Sequence, residues 1–227
     1  MTTRTLHHFS LDPASRYVRL VLGEKKITFD EVLVRYWEPN AAFEALNPSG
    51  LVPVLVEGDL ASRRVVCESR AIAGWAEDLT PDPALMPRSL DDRAETRRLL
   101  QWFERKFDYE VNALLLHEKM EKRLLGLGAP DTGAVRAGRE ALRRHLDYIE
   151  AMLNQRDFIA AGRLTLADFT AAAHLSVLDY FGEIGWDAFP AVRIWYVRLK
   201  SRPSFRPLLA DRQPGMPPAP HYADLDF

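Results

Sequence analysis

The prediction of the fold begins at residues 47–55, which have the sequence Asn47-Pro48-Ser49-Gly50-Leu51-Val52-Pro53-Val54-Leu55. The first four residues are a turn signal, since proline and glycine favour the backbone angles that turns need. The apolar residues after them predict a strand over residues 52–56. A second predicted strand covers residues 64–67, and Gly58-Asp59 between the two strands predicts a β-hairpin.

The segments around this hairpin extend the prediction to an α/β domain over residues 1–80. Upstream, the sequence predicts a strand over residues 5–9, an amphipathic helix over residues 15–24 and a second strand over residues 29–34. A polar connection then leads to the hairpin. After the hairpin, residues 69–79 return to helical spacing. The predicted order is therefore β-α-β, a connection, and β-β-α.

The character of the sequence changes after residue 80. Prolines among residues 81–88 predict a linker, and residues 89–212 carry only helical signals, so we expect an all-α domain there. Its first helix has apolar residues at steps of three and four, which lie on one helical face. These residues are Leu100, Phe103, Phe107, Val111 and Leu114. Further helices are predicted after Asp131, from Thr165 and around Trp195.

The chain ends in an acidic tail, residues 213–227. Four prolines among residues 213–220 exclude a helix interior and a central strand, and they predict an extended, unpaired spacer. Acidic and apolar side chains then alternate to the end of the chain: Asp224, Leu225, Asp226 and Phe227. Two uses of this end are open. It docks on the basic segment at residues 193–212, or it presents a short linear motif to a partner, which is the use we favour.

The composition narrows the classes of function. A net charge of −2 over 227 residues gives no field that would favour nucleic acid or a membrane surface as partner. No apolar run reaches the length of a membrane span, so we expect a cytoplasmic protein without direct membrane insertion. The single cysteine, Cys67, is more typical of a small buried residue than of a nucleophile. His7 and His8 lack the spacing of metal ligands, so no metal site is predicted.

Four segments, in order along the chain, resemble the glutathione S-transferase superfamily: residues 12–20, 47–55, 68–72 and 164–168. The resemblance implies a thioredoxin-like N-terminal domain followed by a glutathione-transferase-type helical domain. It also implies a cis bond before Pro53 and a buried capping box between Thr165 and Asp168. Five residues correspond to the glutathione site of the superfamily: Asp12, Val52, Pro53, Glu68 and Ser69. Ser69 has a second interpretation, as the N-cap of its helix.

The resemblance also identifies the position that stabilises the glutathione thiolate in the enzymes. In the serine-type pattern that residue directly precedes the proline of the first turn, and here it is Asp12. A carboxylate disfavours a neighbouring thiolate, because like charges repel. Ser10 and Ser15 are the substitutes that the sequence offers, although Ser15 is equally explained as a helix N-cap. We therefore assign no catalytic residue and expect no cofactor, while conjugation of glutathione to small electrophiles stays open as the alternative function.

Four further stretches resemble one branch of this superfamily, the transferase-like proteins of alphaproteobacterial cell division: residues 4–9, 98–125, 199–203 and 221–227. Members of that branch bind the tubulin-like polymer protein FtsZ. The resemblance implies a non-catalytic protein that forms a homodimer, binds FtsZ polymers at the division site and regulates cell division.

Tyr36 and Trp37 are candidate residues for partner binding. They lie in the polar connection after the second predicted strand, and aromatic side chains on exposed loops are typical interface anchors. Alternatively, Trp37 packs on its own domain or at a dimer interface. The acidic tail is the second candidate surface.

Overall fold

The computed structural model describes residues 3–58 and 63–225. Its N-terminal half contains one four-stranded sheet in the order β2-β1-β3-β4, in which β1 is parallel to β2 and antiparallel to β3. β3 and β4 form the predicted antiparallel pair, although the turn expected at Asp59 lies outside the described residues. The strands are β1 Arg4–His8, β2 Asp30–Leu33, β3 Val54–Glu57 and β4 Arg64–Cys67.

Three helices complete this half: α1 Pro13–Glu24, α2 Ala41–Glu44 and α3 Ser69–Leu79. The thioredoxin-like arrangement predicted from the β-α-β and β-β-α order is confirmed. The peptide bond between Val52 and Pro53 is cis, as predicted. A second cis bond, between Asp82 and Pro83, was not predicted.

Helices dominate the second half. The first is a long helical stretch that alternates between α and π geometry: α4 Leu90–Gln101, π-helix Trp102–Asn112, α5 Ala113–Leu116, π-helix His117–Glu121 and α6 Lys122–Leu125. It is followed by α7 Thr132–Leu153, α8 Leu166–Tyr180, a 3₁₀ turn at Trp186–Ala188, α9 Pro190–Lys200 and α10 Arg206–Ala210. Apart from one isolated bridge between Gln213 and Met216, the described residues after β4 contain no strand pairing.

The π-helical geometry changes the predicted core face of the long helical stretch. Phe103, Phe107, Val111 and Leu115 are fully buried, four residues apart. The prediction of Leu114 in this stripe was wrong by one residue, since Leu114 is only half-buried. A π-helix bonds residue i to i+5 and so has more residues per turn than an α-helix. The wider turn keeps a four-residue repeat on one face and replaces Leu114 by Leu115.

The centre of the molecule is α8, whose fifteen residues are all buried. Its N-terminus has the predicted capping box between Thr165 and Asp168. The Asp168 carboxylate accepts hydrogen bonds from the Thr165 backbone N–H at 2.9 Å and from the Ile159 backbone N–H at 3.0 Å. Such bonds satisfy donors that a buried helix start would otherwise leave unpaired. α1 of the sheet half packs against this helix, so the two halves share one core.

The proline-rich segment differs from the extended spacer expected from its sequence. Gln213 and Met216 form an antiparallel bridge, and Met216 is buried. The Ala219 backbone N–H donates to the Tyr180 carbonyl of α8 at 2.8 Å. Proline removes backbone donors but leaves carbonyls and side chains able to pack, so this segment folds in turns against α8.

Within residues 3–58 and 63–225, no helix is both long and apolar enough to span a membrane. Nor does this part of the chain contain three or more His, Cys, Asp or Glu side chains grouped to hold a metal ion.

Candidate functional site

A cleft of about 650 Å³ lies between the sheet half and the helical half. The cleft brings together four of the five residues that the resemblance assigned to a glutathione site: Asp12, Val52, Glu68 and Ser69. Pro53 follows Val52 at the cis bond but does not line the cleft. The opposite wall comes from the long helical stretch and α8. It includes Glu104, Asp108, Asn112 and His174.

Asp12 is the N-cap of α1. Its backbone is extended, and its carboxylate accepts a hydrogen bond from the Ser15 backbone N–H at 2.6 Å. Pro13 occupies the first helical position, where its missing N–H costs nothing. Asp12 is partly exposed to the cleft, but the surrounding protein displaces water and raises its pKa to about 6. The residue before the first proline is thus a capping carboxylate.

Neither serine proposed as a substitute lines the cleft. Ser15 is fully buried, and its Oγ accepts a hydrogen bond from the Phe9 backbone N–H at 3.3 Å. Because Asp12 holds the N-cap position, the interpretation of Ser15 as N-cap is wrong. Ser10 contributes its carbonyl, which accepts from Arg16 Nε at 2.7 Å. The cleft therefore receives no hydroxyl from residue 10 or 15.

Glu68 turns the chain from β4 into α3. Its backbone has φ 73° and ψ 135°, a conformation that costs a residue other than glycine about 1–3 kcal/mol. This turn brings Ser69, the first residue of α3, to the cleft wall. Glu68 occupies the N-cap position without a capping hydrogen bond, so the N-cap interpretation of Ser69 is wrong. Cys67 does not line the cleft, and burial raises the pKa of its thiol.

The cleft is acidic. Two arginines line it, Arg70 and Arg105, and Arg70 Nε donates to Glu104 Oε2 at 2.9 Å. Five carboxylates against two guanidinium groups leave a formal charge of −3 on the lining residues. The carboxylates are Asp12, Glu68, Glu104, Asp108 and Glu121.

A buried polar cluster on the helical wall was not predicted from the sequence. Asn112 Nδ2 donates to Asp108 Oδ1 at 3.0 Å and lies 2.7 Å from His174 Nδ1. Burial lowers the pKa of His174 to about 4, so the ring is neutral and its Nδ1 accepts this bond. The only signal in the sequence was a polar residue directly after Val111 of the apolar stripe. The pairing with α8 joins residues 62 positions apart and has no local signature.

Tyr36 and Trp37 are half-buried and form an aromatic cluster with Phe9. The Trp37 ring lies 5.0 Å from the Phe9 ring and 5.2 Å from the Tyr36 ring, both edge to face. Tyr36 also lines the cleft, and burial raises the pKa of its hydroxyl. The aromatic cluster thus borders the cleft at the sheet half.

The acidic tail is partly docked. Leu225 lies with Arg193, Ile194 and Trp186 around a shallow cavity beside α9. Asp224 is exposed, while Asp226 and Phe227 lie outside the described residues.

Comparison with known proteins identifies the family. Residues 13–79 match the family described as Glutathione S-transferase, N-terminal domain, and residues 112–203 match Glutathione S-transferase, C-terminal domain. The chain belongs to the glutathione S-transferase family. It is 62% identical to FtsZ-localized protein A of Caulobacter vibrioides over 224 residues, which cover 99% of this chain and 98% of that protein.

Solved structures of the glutathione S-transferase family superpose closely on the chain. FzlA from C. crescentus matches with a TM-score of 0.97 and 62% identity, covering 99% of this chain and all of that one. A glutathione S-transferase from Rhodospirillum rubrum F11 matches with a TM-score of 0.94 and 44% identity over the same shares of the two chains. The resemblance to the superfamily predicted from the sequence is confirmed.

Proposed function

We propose that this glutathione S-transferase family member is a non-catalytic protein that binds polymers of FtsZ and regulates cell division. The observation that carries the proposal is the 62% identity, over nearly the whole of both chains, to a protein named for its localisation with FtsZ. In this proposal the protein is cytoplasmic and binds the filament at the division site. A homodimer fits the family, and we include it in the proposal.

The chemistry of the cleft supports a non-catalytic function. Glutathione carries two carboxylates and one ammonium group, so its net charge is negative, and its reactive form adds a thiolate. The lining residues of the cleft have a formal charge of −3, and Asp12 occupies the position at which an enzyme would stabilise the thiolate. A carboxylate there raises the pKa of a nearby thiol, which is the opposite of activation.

Two surfaces are proposed to contact the filament. The aromatic cluster supplies Trp37, a large side chain of the kind that dominates binding energy at interfaces. The acidic tail supplies residues 224–227 as a short linear motif. Its docking beside α9 at Leu225 is the alternative role of the same residues.

A paired experiment separates the two functions. Sedimentation with FtsZ polymer tests binding, and retention on immobilised glutathione with conjugation to a chromogenic aryl halide tests catalysis. We expect co-sedimentation without turnover. Robust turnover that is lost in Ser10→Ala or Ser15→Ala would instead establish the transferase. Measurement of the particle mass in solution tests the dimer, and a monomer at micromolar concentration would contradict it.

A further inference from the structure

The cleft contains a hydrogen-bond acceptor that nothing in the described chain satisfies. Asn112 is 3% exposed, and its Oδ1 accepts no hydrogen bond. The orientation of this amide follows from Asp108, whose carboxylate accepts the Nδ2 proton. A buried acceptor without a donor is unfavourable, so this atom favours a ligand that donates.

The carboxylates of the cleft also favour a positively charged ligand. Asp12, Glu68 and Asp108 form no ion pair with a cationic side chain in residues 3–58 and 63–225. They face one another across the cleft together with Glu104 and Glu121. Like charges gathered in a partly enclosed cleft repel one another, and a bound cation relieves that repulsion. Burial raises the pKa of Asp12 to about 6, and the negative charge of Asp108 adds to the rise.

The size of the cleft suits a small or slender ligand. Its volume of about 650 Å³ is within the range of small-molecule sites. Tyr36 adds an aromatic ring to the wall, and aromatic rings attract cations at their faces. A ligand without a cationic donor would meet a charge of −3 and leave Asn112 Oδ1 unpaired.

We infer that the cleft binds a ligand whose slender chain ends in a primary ammonium or guanidinium group. Such a group donates to Asn112 Oδ1, and its charge offsets that of the cleft carboxylates, Asp108 and Glu68 among them. A free polyamine and a lysine or arginine side chain of a partner protein share this chemistry. The site goes beyond the proposed binding of FtsZ and does not depend on it.

Isothermal titration calorimetry with spermidine tests the inference. We expect saturable binding to the wild type at one site, weakened by added salt because salt screens the charges. The double variant Glu68→Gln/Asp108→Asn should bind at least about tenfold more weakly. A matched control, Glu140→Gln/Asp147→Asn, removes two charges from the exposed surface of α7 and should bind as the wild type does.

A second measurement uses the wild type alone, in case the double variant fails to fold. The side-chain amide resonances of Asn112 should shift during an NMR titration with spermidine and stay unchanged with glutarate, a dicarboxylate that has no ammonium group. N-acetyl-lysine methylamide is the probe for a partner's lysine. Binding of this probe as tight as that of spermidine assigns the site to a partner's side chain, and preference for spermidine assigns it to a free polyamine. No binding of either probe, or an equal loss in the α7 control, overturns the inference.

Discussion

Asp12 caps the N-terminus of α1 and also adds a carboxylate to an acidic cleft. The pH dependence of stability distinguishes the capping hydrogen bond from the effect of the charge. Its folded-state pKa of about 6 lies above the ordinary value of 3.8, so the folded protein holds this proton more tightly. The resulting stability is fully present below pH 3.8 and is lost as the pH rises through 6. Asparagine caps a helix as well as aspartate and carries no charge. We therefore predict that Asp12→Asn is more stable than the wild type by about 1 kcal/mol at pH 7.5, and that this advantage shrinks steadily as the pH falls through 6 towards 3.8.

Urea unfolding at pH 4.5, 6 and 7.5 measures this difference. The matched control is Asp131→Asn at the N-cap of α7, where hydrogen bonds from Ala134 and Gly133 lower the pKa of the carboxylate. Because a lowered pKa stabilises the folded state at neutral pH, this control should not gain stability as the pH rises. An Asp12→Asn difference that stays constant with pH would show that the charge of Asp12 carries no penalty.

Trp37 is the side chain of the aromatic cluster on which we expect partner binding to depend most. We predict that Trp37→Ala weakens co-sedimentation with FtsZ by about 2 kcal/mol, or about 30-fold, because a large interface aromatic is lost. The matched control is Trp75→Ala. Trp75 is also half-buried, but it lies on α3 and packs against Arg4 of β1 instead of joining the aromatic cluster. A large loss of thermal stability with binding retained would assign Trp37 to the core or to a dimer interface.

Helices α7 and α5 approach each other closely at Gly138. A Cβ on Gly138 would lie 2.8 Å from Leu115 Cγ and 3.0 Å from Leu114 Cβ. Gly74 in α3 would meet no atom within 4 Å. We predict that Gly138→Ala destabilises the protein by about 1–3 kcal/mol through overpacking. Gly74→Ala should gain about 0.5–1 kcal/mol, since alanine favours a helix over glycine. Thermal unfolding of both variants checks the pair, and equal effects would contradict the packing described for α7.

Local patterns predicted the elements well, and tertiary contacts account for what they missed. The strand at Arg64–Cys67, the cis bond before Pro53 and the capping box at Thr165 each have a signature within a few residues. The π-helical shift from Leu114 to Leu115 has no such signature, because it depends on packing against α7 and α8.

The candidate site was half predictable for the same reason. The wall from the sheet half, with Asp12, Glu68 and Ser69, lay in family motifs. The wall from the helical half depends on the contact between Asn112 and His174, which only the folded chain makes. The turns of the proline-rich segment were not predicted, because prolines indicate the backbone angles of a segment but not the surface against which it packs.

The two halves and the tail meet at Arg16. This buried side chain donates from Nη1 to Ser176 Oγ of α8 and to the Tyr222 hydroxyl, both at 2.9 Å. The Tyr222 hydroxyl in turn donates to the Leu208 carbonyl at 2.9 Å. Tyr222 therefore fixes the tail to the rest of the molecule.

Deletion of residues 224–227 should thus separate stability from function. We predict that the free energy of unfolding changes by less than about 0.5 kcal/mol and the dimer persists, while division activity in cells falls. Tyr222→Phe should instead cost about 1–3 kcal/mol, because Arg16 and the Leu208 carbonyl both lose the hydrogen bond to the Tyr222 hydroxyl. Urea unfolding and complementation of a strain that lacks the protein measure the two effects. A loss of several kcal/mol on deletion would assign the end of the chain a docked, structural role.

Co-sedimentation with FtsZ is the most direct test of the proposed function. The chain is titrated against polymerised FtsZ at fixed salt, with unpolymerised FtsZ as the control, and the fraction in the pellet is measured. We predict saturable pelleting with polymer that is unchanged by millimolar glutathione, since binding to the filament does not require a ligand in the cleft. A chain that stays in the supernatant at every concentration of polymer, while it conjugates glutathione with robust turnover, would contradict the account.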